Sequence, residues 1–280
     1  MRRTIAIPAA LLALAACSGD AGTRPRGGVK LDTPANLTSV SLNTAIQLSW
    51  DANARINDPG DFEHYNIYST SYNLDTGVCD NANWALEGSS VSEDFLVSGL
   101  TNGVSLCFSV TAVSLDNVES NVSSSRYDTP RYDARNIRID ASQSHLSTSG
   151  FRFDFGSGAL GQVLSGDRSD IDFVVDRHND GSLWMTTVRS GTGVVLYSQN
   201  PVDDLTSIDV APLNGYLTGS IEAVTGYAYV YETNLSDGLH YGAVRVTAVG
   251  SNYIIVDWAY QTDYGNPELR RVVAGGGPRP

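Results

Sequence analysis

The sequence predicts an all-β protein, an N-terminal β-sandwich followed by a second antiparallel β domain, and three observations lead there. Short apolar runs repeat with a period of two. Ile46, Leu48 and Trp50 alternate with Gln47 and Ser49, and Leu106, Phe108, Val110 and Ala112 repeat the pattern, as half-buried strands require. Turn-forming clusters such as Asn57-Asp58-Pro59-Gly60 and Thr101-Asn102-Gly103 separate the runs. No amphipathic helix of useful length interrupts them, which makes layered sheets the economical architecture. About 250 residues beyond the leader would suit one large domain or two of ordinary size.

The chain opens with Arg2 and Arg3, an apolar run from Ile5 to Ala15, and small residues leading into Cys17. A bilayer-spanning helix needs about 20 apolar residues, so residues 1–16 read as a cleaved export signal. Leu14-Ala15-Ala16-Cys17 resembles the bacterial lipobox. That resemblance implies an acylated Cys17 as the new N-terminus and a lipoprotein of the cell envelope. Ser18 stands where the family's inner-membrane retention signal would place Asp, so the resemblance implies the outer membrane in a host that has two. An ordinary signal peptide with a chance cysteine is the plainer alternative. Each buried lipid methylene contributes about 0.8 kcal/mol, and stable anchoring takes more than one chain; lipoproteins of this kind carry several. Residues 17–31, rich in Gly, Arg, Pro and Ala, read as a flexible tether.

The net charge of −13 becomes −15 once Arg2 and Arg3 leave with the signal. Such a surface repels nucleic-acid phosphates and anionic lipid headgroups. No nucleic-acid partner is expected, and membrane contact runs through the lipid alone. With Cys17 acylated, Cys79 and Cys107 remain as a pair in an oxidising compartment. A bridge closing about 28 residues would contribute about 3 kcal/mol. Two separate buried thiols are the alternative.

Residues 32–130 carry a family likeness. Thr33 to Leu37, Ile46 to Trp50, Tyr65-Asn66-Ile67-Tyr68, Val97 to Gly103 and Phe108 to Ser114 follow one another as the first, second and third strands, the turn before the sixth, and the sixth strand of a fibronectin type III domain. Glu119-Ser120-Asn121 would open the last strand, and Thr129-Pro130 resembles a typical exit. The resemblance implies an immunoglobulin-like sandwich. Leu106 stands where the family has its corner tyrosine, so the Cys79–Cys107 bridge would brace that region instead. The fold serves as spacer, binding module and packing unit alike, so it does not fix function. Trp84 lies between strand signals; it either stacks on a sugar or partner or covers the open end of the sandwich.

Polar residues from Asp128 to Ala134 separate this block from a second all-β domain over residues 134–270. Phe151 to Phe155, Ile171 to Val175 and Tyr227 to Tyr231 read as strands. His240 to Val249 and Tyr253 to Tyr260 form a hairpin about Gly250-Ser251-Asn252. Gly150 to Gly156, Tyr241 to Val246 and Asp257 to Gln261 resemble the opening and closing strands of small all-β modules of bacterial surface proteins. More distantly the block is similar to β-rich lipoproteins of the HmuY type, which bind haem, although no histidine pair maps onto that family's iron ligands. The glycine- and proline-rich tail 271–280 is expected to be disordered.

Asp176, His178 and Asp180 alternate before Gly181 as in a calcium loop, with Asp167, Asp170 and Asp172 upstream. An EF-hand loop needs Asp or Asn at its third position and Glu at its twelfth, where this chain has His178 and Thr187. The competing reading is a hairpin turn about Asp180-Gly181. His64, His145, His178 and His240 are scattered, with no His-Glu-x-x-His or Gly-x-Ser-x-Gly motif. Glu63 and His64 should point to opposite faces of a strand. The reading is therefore a non-enzymatic surface lipoprotein, without a cofactor, that binds or scaffolds an envelope protein or glycan. Haem-type small-ligand capture by the second domain is the alternative.

Overall fold

The computed structural model describes residues 28–269 apart from 75, 155–159, 209 and 268. The export signal, Cys17, most of the tether and the tail 271–280 lie outside the described residues.

The first half runs β1 (Thr38–Leu42), β2 (Ala45–Ser49), a one-turn helix α1 (Asn53–Asn57), β3 (Phe62–Asn73), β4 (Val78–Cys79), β5 (Ala85–Ser90), β6 (Asp94–Ser98), β7 (Leu106–Ser114) and β8 (Arg126–Asp128). One sheet has the order β1-β2-β6. The other has the order β4-β3-β7-β8, with β5 also paired to β3. All pairings are antiparallel. Ile46, Leu48 and Val97 of the first sheet meet Tyr65, Ile67, Phe108, Val110 and Ala112 of the second in a buried core. Trp50 sets its edge against the Tyr65 ring at 5.3 Å, a favoured aromatic geometry. This is the expected immunoglobulin-like sandwich, and Cys79 and Cys107 are joined across β4 and β7.

Two strands depart from expectation. Thr33 to Leu37 is not the first strand, which begins at Thr38. Pro34 has no N–H to give a ladder, and Asn36 takes a positive φ of 53°, a kink no regular strand accepts. Nor does a strand open at Glu119. From there Ser120 Oγ accepts from Ala112 N–H at 2.9 Å and Ser123 Oγ from Val110 N–H at 3.0 Å. Serine hydroxyls thus serve part of β7's edge, and regular pairing waits until Arg126.

The second half contributes β9 (Tyr132–Asp140), β10 (Gly150–Arg152), β11 (Gln162–Leu164), β12 (Phe173–Arg177), β13 (Leu183–Thr187), β14 (Thr192–Leu196), β15 (Ser220–Glu222), β16 (Ala228–Asn234), β17 (Leu239–Val249) and β18 (Tyr253–Gln261). Two five-stranded sheets, β11-β10-β12-β13-β15 and β14-β16-β17-β18-β9, enclose a core rich in aromatic rings: Phe151, Phe153, Phe173, Tyr229, Tyr231, Trp258 and Tyr260. The outer face of the second sheet is covered as well. Val202, Leu205, Ile208 and Leu269 lie over Ala228, Val230, Ala243 and Ala259, whose small side chains leave room for a covering layer. Along β16 the tyrosines face the inner core and Ala228 and Val230 the outer layer.

The polar stretch between the two halves is buried. Asp128, Thr129 and Arg131 are fully enclosed. Asp128 Oδ1 accepts from Ser41 Oγ at 2.5 Å and from Thr129 N–H at 2.7 Å. Arg131 N–H donates to Leu42 O, and Gly103 N–H to Pro130 O. A composition that suits a linker here satisfies a polar joint, because buried donors and acceptors need partners.

Candidate functional site

The strand periodicity of β13 generates an outward-facing site. Leu183 and Met185 enter the inner core, so Trp184 between them projects from the other face of the sheet. Its neighbours across the ladder are Asp176 on β12 and Glu222 on β15. One residue pair further along, the Thr186 and Ser220 hydroxyls are 2.8 Å apart. A half-buried indole is thus bracketed by two carboxylates, beside a pair of hydroxyls, on an open sheet face.

The hairpin joining β12 to β13 fixes that indole. His178 N–H donates to Ser182 O and Gly181 N–H to His178 O, both at 2.9 Å. Gly181 has a φ of 91°, a conformation glycine adopts freely. Asp180 Oδ1 accepts from Ser182 N–H at 3.0 Å and Ser182 Oγ at 2.6 Å; those bonds lower its carboxyl below the usual range. Trp184 Nε1 in turn donates to Ser182 Oγ at 2.7 Å. The exposed His178 ring lies parallel to the indole, 4.6 Å between centroids and 7° between planes.

Each of the three residues of the candidate calcium loop, Asp176, His178 and Asp180, has a protein contact of its own. Asp180 closes the turn, His178 stacks on Trp184, and Asp176 Oδ1 accepts from Ser142 Oγ at 2.5 Å. Among the described residues no group of three or more His, Cys, Asp or Glu side chains could hold a metal ion. The hairpin turn is what the sequence encodes there.

The other singled-out residues lie apart. Trp84 is half-buried just before β5. His240 is buried, with Nδ1 3.4 Å from Gln261 O and Nε2 3.2 Å from Asp237 Oδ1. Glu63 and His64 do not diverge as a regular strand would make them. A bulge between Phe62 and His64 brings His64 Nδ1 to 3.7 Å from Glu63 Oε2. Just before β12, Asp172 is enclosed and accepts from Phe153 N–H at 2.7 Å. Burial raises its carboxyl, opposed chiefly by Arg189. Sequence reasoning missed Trp184; its signal was an aromatic residue between two inward-facing apolar positions.

No family model and no curated protein matches the chain. Among solved structures it is similar to an Fn3-like protein from Clostridium thermocellum, at 18% identity over 35% of this chain and 92% of that one, with a TM-score of 0.27. The FN5 domain of Drosophila Lar is similar at 18% identity over 36% of this chain and 96% of its own, TM-score 0.27. A DUF4466 family protein from Parabacteroides merdae spans more: 80% of this chain and 94% of its own, at 11% identity and a TM-score of 0.38. These are likenesses of shape.

Proposed function

We propose that this chain is a lipid-anchored, non-enzymatic envelope protein that binds a glycan on the outer face of its second β domain. The observation that supports this is the fixed Trp184–His178 stack between the Asp176 and Glu222 carboxylates. A pyranose offers apolar C–H groups to an aromatic ring and hydroxyls around its rim. Aromatic burial supplies area, and hydroxyls donating to ionised carboxylates make the stronger class of hydrogen bond. The Trp184–Ser182–Asp180 bonds hold the platform before any ligand arrives, which reduces the ordering cost of binding. The mature chain's net charge of −15, from −13 for the full sequence with Arg2 and Arg3 removed, disfavours acidic polysaccharides, so the expected ligand is neutral. Acylation at Cys17 would hold this face outward from a membrane on the tether.

Retention on insoluble neutral polysaccharides tests the reading. The protein should be retained and Trp184→Ala released, with Trp84→Ala behaving as the parent. Equal retention of the parent and the Trp184→Ala variant would remove Trp184 from the site, and no retention of the parent would move the reading to a protein partner. Mass spectrometry of the mature chain should find fatty acid on Cys17, and an unacylated mature chain would remove the anchor.

A further inference from the structure

A second group of side chains stands on the outer face of the other sheet, far along the fold from Trp184. Gly193, Glu232 and Tyr241 are in register across β14, β16 and β17, so their outward positions form one row. Leu217 pairs with Val194 through 3.0 Å bonds in both directions, which lays the preceding Tyr216 over Gly193. A Cβ at position 193 would come within 2.9 Å of Tyr216 Cβ; glycine is what admits the tyrosine. The Tyr216 and Tyr241 rings then stand 6.3 Å apart at 44°, a V on either side of Glu232. Both rings pack on the margin of the covering apolar layer.

Glu232 is half-buried in this V, and among the described residues no hydrogen bond or ion pair engages its carboxylate. The Tyr216 hydroxyl is enclosed and also lacks a partner there. Partial burial of an unpaired carboxylate is costly, and a fold carries that cost where a counter-charge arrives from outside. Two aromatic faces around a carboxylate supply what a bulky organic cation needs: ring quadrupoles within about 6 Å of the charge and an anion beneath it. An inorganic ion, which wants several oxygen ligands, would find one carboxylate and apolar walls.

We propose that Tyr216, Glu232 and Tyr241 form a binding site for an organic ammonium group. The chemistry is shared by a quaternary headgroup such as choline's and by a primary alkylamine such as a lysine side chain. Choline chloride and n-butylammonium chloride, titrated into the whole chain and followed by calorimetry and tyrosine fluorescence, separate the two sources. Tighter choline binding assigns a quaternary ligand; tighter butylammonium binding assigns an amine. Glu232→Gln should weaken either by about tenfold or more, and Tyr241→Leu should weaken choline more than butylammonium. Because Glu232→Gln removes an unpaired charge, its melting temperature should equal or exceed that of the parent, so lost binding will not reflect lost folding. The proposal is overturned if neither cation binds at millimolar concentration. It is equally overturned if Glu232→Gln binds as well as the parent, or if a neutral alcohol of choline's shape binds as well as choline.

Discussion

Asn266 reaches back across 137 residues of sequence to donate from Nδ2 to the Thr129 hydroxyl at 3.2 Å. Thr129 is also bonded to Ser105 Oγ at 2.7 Å, so one buried hydroxyl links the first sandwich, the connecting stretch and the chain beyond β18.

Asn266→Ala cuts that link at a site where both partners are buried. Loss of a buried hydrogen bond costs about 1–3 kcal/mol, and in a protein of this size each kcal/mol lowers the melting temperature by roughly 2–4 °C. The two halves should melt in one calorimetric transition in the parent and separate into two in the variant. A variant that melts in one step at the parent's temperature would mean that the joint does not couple them.

The Cys79–Cys107 bridge spans 28 residues and ties the two-residue strand β4 to the middle of its sheet. A double Cys79→Ser, Cys107→Ser variant should lose about 3 kcal/mol in urea unfolding, the chain-entropy value for such a loop. Most of the loss should vanish when parent and variant are compared under reducing conditions. A difference that survives reduction unchanged would assign the effect to packing of the Cys107 side chain, which is fully buried.

Much of the fold was legible because it repeats simple rules. Ile46 and Leu48 alternate into the core as their spacing demands. The disulfide followed from counting cysteines, with Cys79 and Cys107 left as a pair once Cys17 was set aside for the lipobox reading. What stayed hidden depends on interruptions and on distance. Period two fails at Glu63, where a bulge inserts a residue, and after Glu119, where serine hydroxyls instead of backbone carbonyls accept from two N–H groups of β7. The polar residues at Asp128 to Arg131 resemble any linker until Ser41, Leu42 and Asn266 close over them. The site residues were hidden for the same reason. Trp184 acquires meaning from Asp176 and Glu222 on neighbouring strands, and Tyr216 meets Tyr241 because Gly193 leaves a gap. The turn about Asp180-Gly181, by contrast, was legible, because a glycine after an aspartate is a local signal.

Asp204 governs part of the acid behaviour. Burial would raise its carboxyl. Arg135 Nη1 and Nη2 at 2.8 and 3.1 Å and Thr206 N–H at 2.8 Å outweigh burial and hold it well below the usual range. A carboxyl depressed in the folded state contributes stability that is present above its unfolded value, about 3.9, and lost as pH falls through the folded value. Asp204→Asn should therefore lower the melting temperature at neutral pH and leave a shallower fall between pH 5 and pH 2. Asp170, held at about 2 chiefly by Arg168, acts in the same direction. Its side chain is about half exposed, so added salt should weaken its part. Identical pH profiles for Asp204→Asn and the parent would refute the assignment.

Tyr260 is buried in the inner core, stacked on Phe153 at 5.8 Å and on His240 at 5.8 Å, yet its hydroxyl meets no hydrogen-bond partner among the described residues. The ring packs well; the oxygen has been taken from water without compensation from the described residues. Burial raises its pKa, so it stays neutral throughout the stable range. A buried unsatisfied polar group costs about 1–3 kcal/mol, and replacing it by an apolar group of the same shape is neutral or stabilising. Tyr260→Phe keeps every ring contact and deletes only the oxygen. It should match or exceed the parent in urea unfolding, whereas Tyr260→Ala should lose about 3–5 kcal/mol as an emptied aromatic site does. A Tyr260→Phe variant destabilised by more than about 1 kcal/mol would show that the hydroxyl has an acceptor in solution, most simply an ordered water bridging toward Asp172.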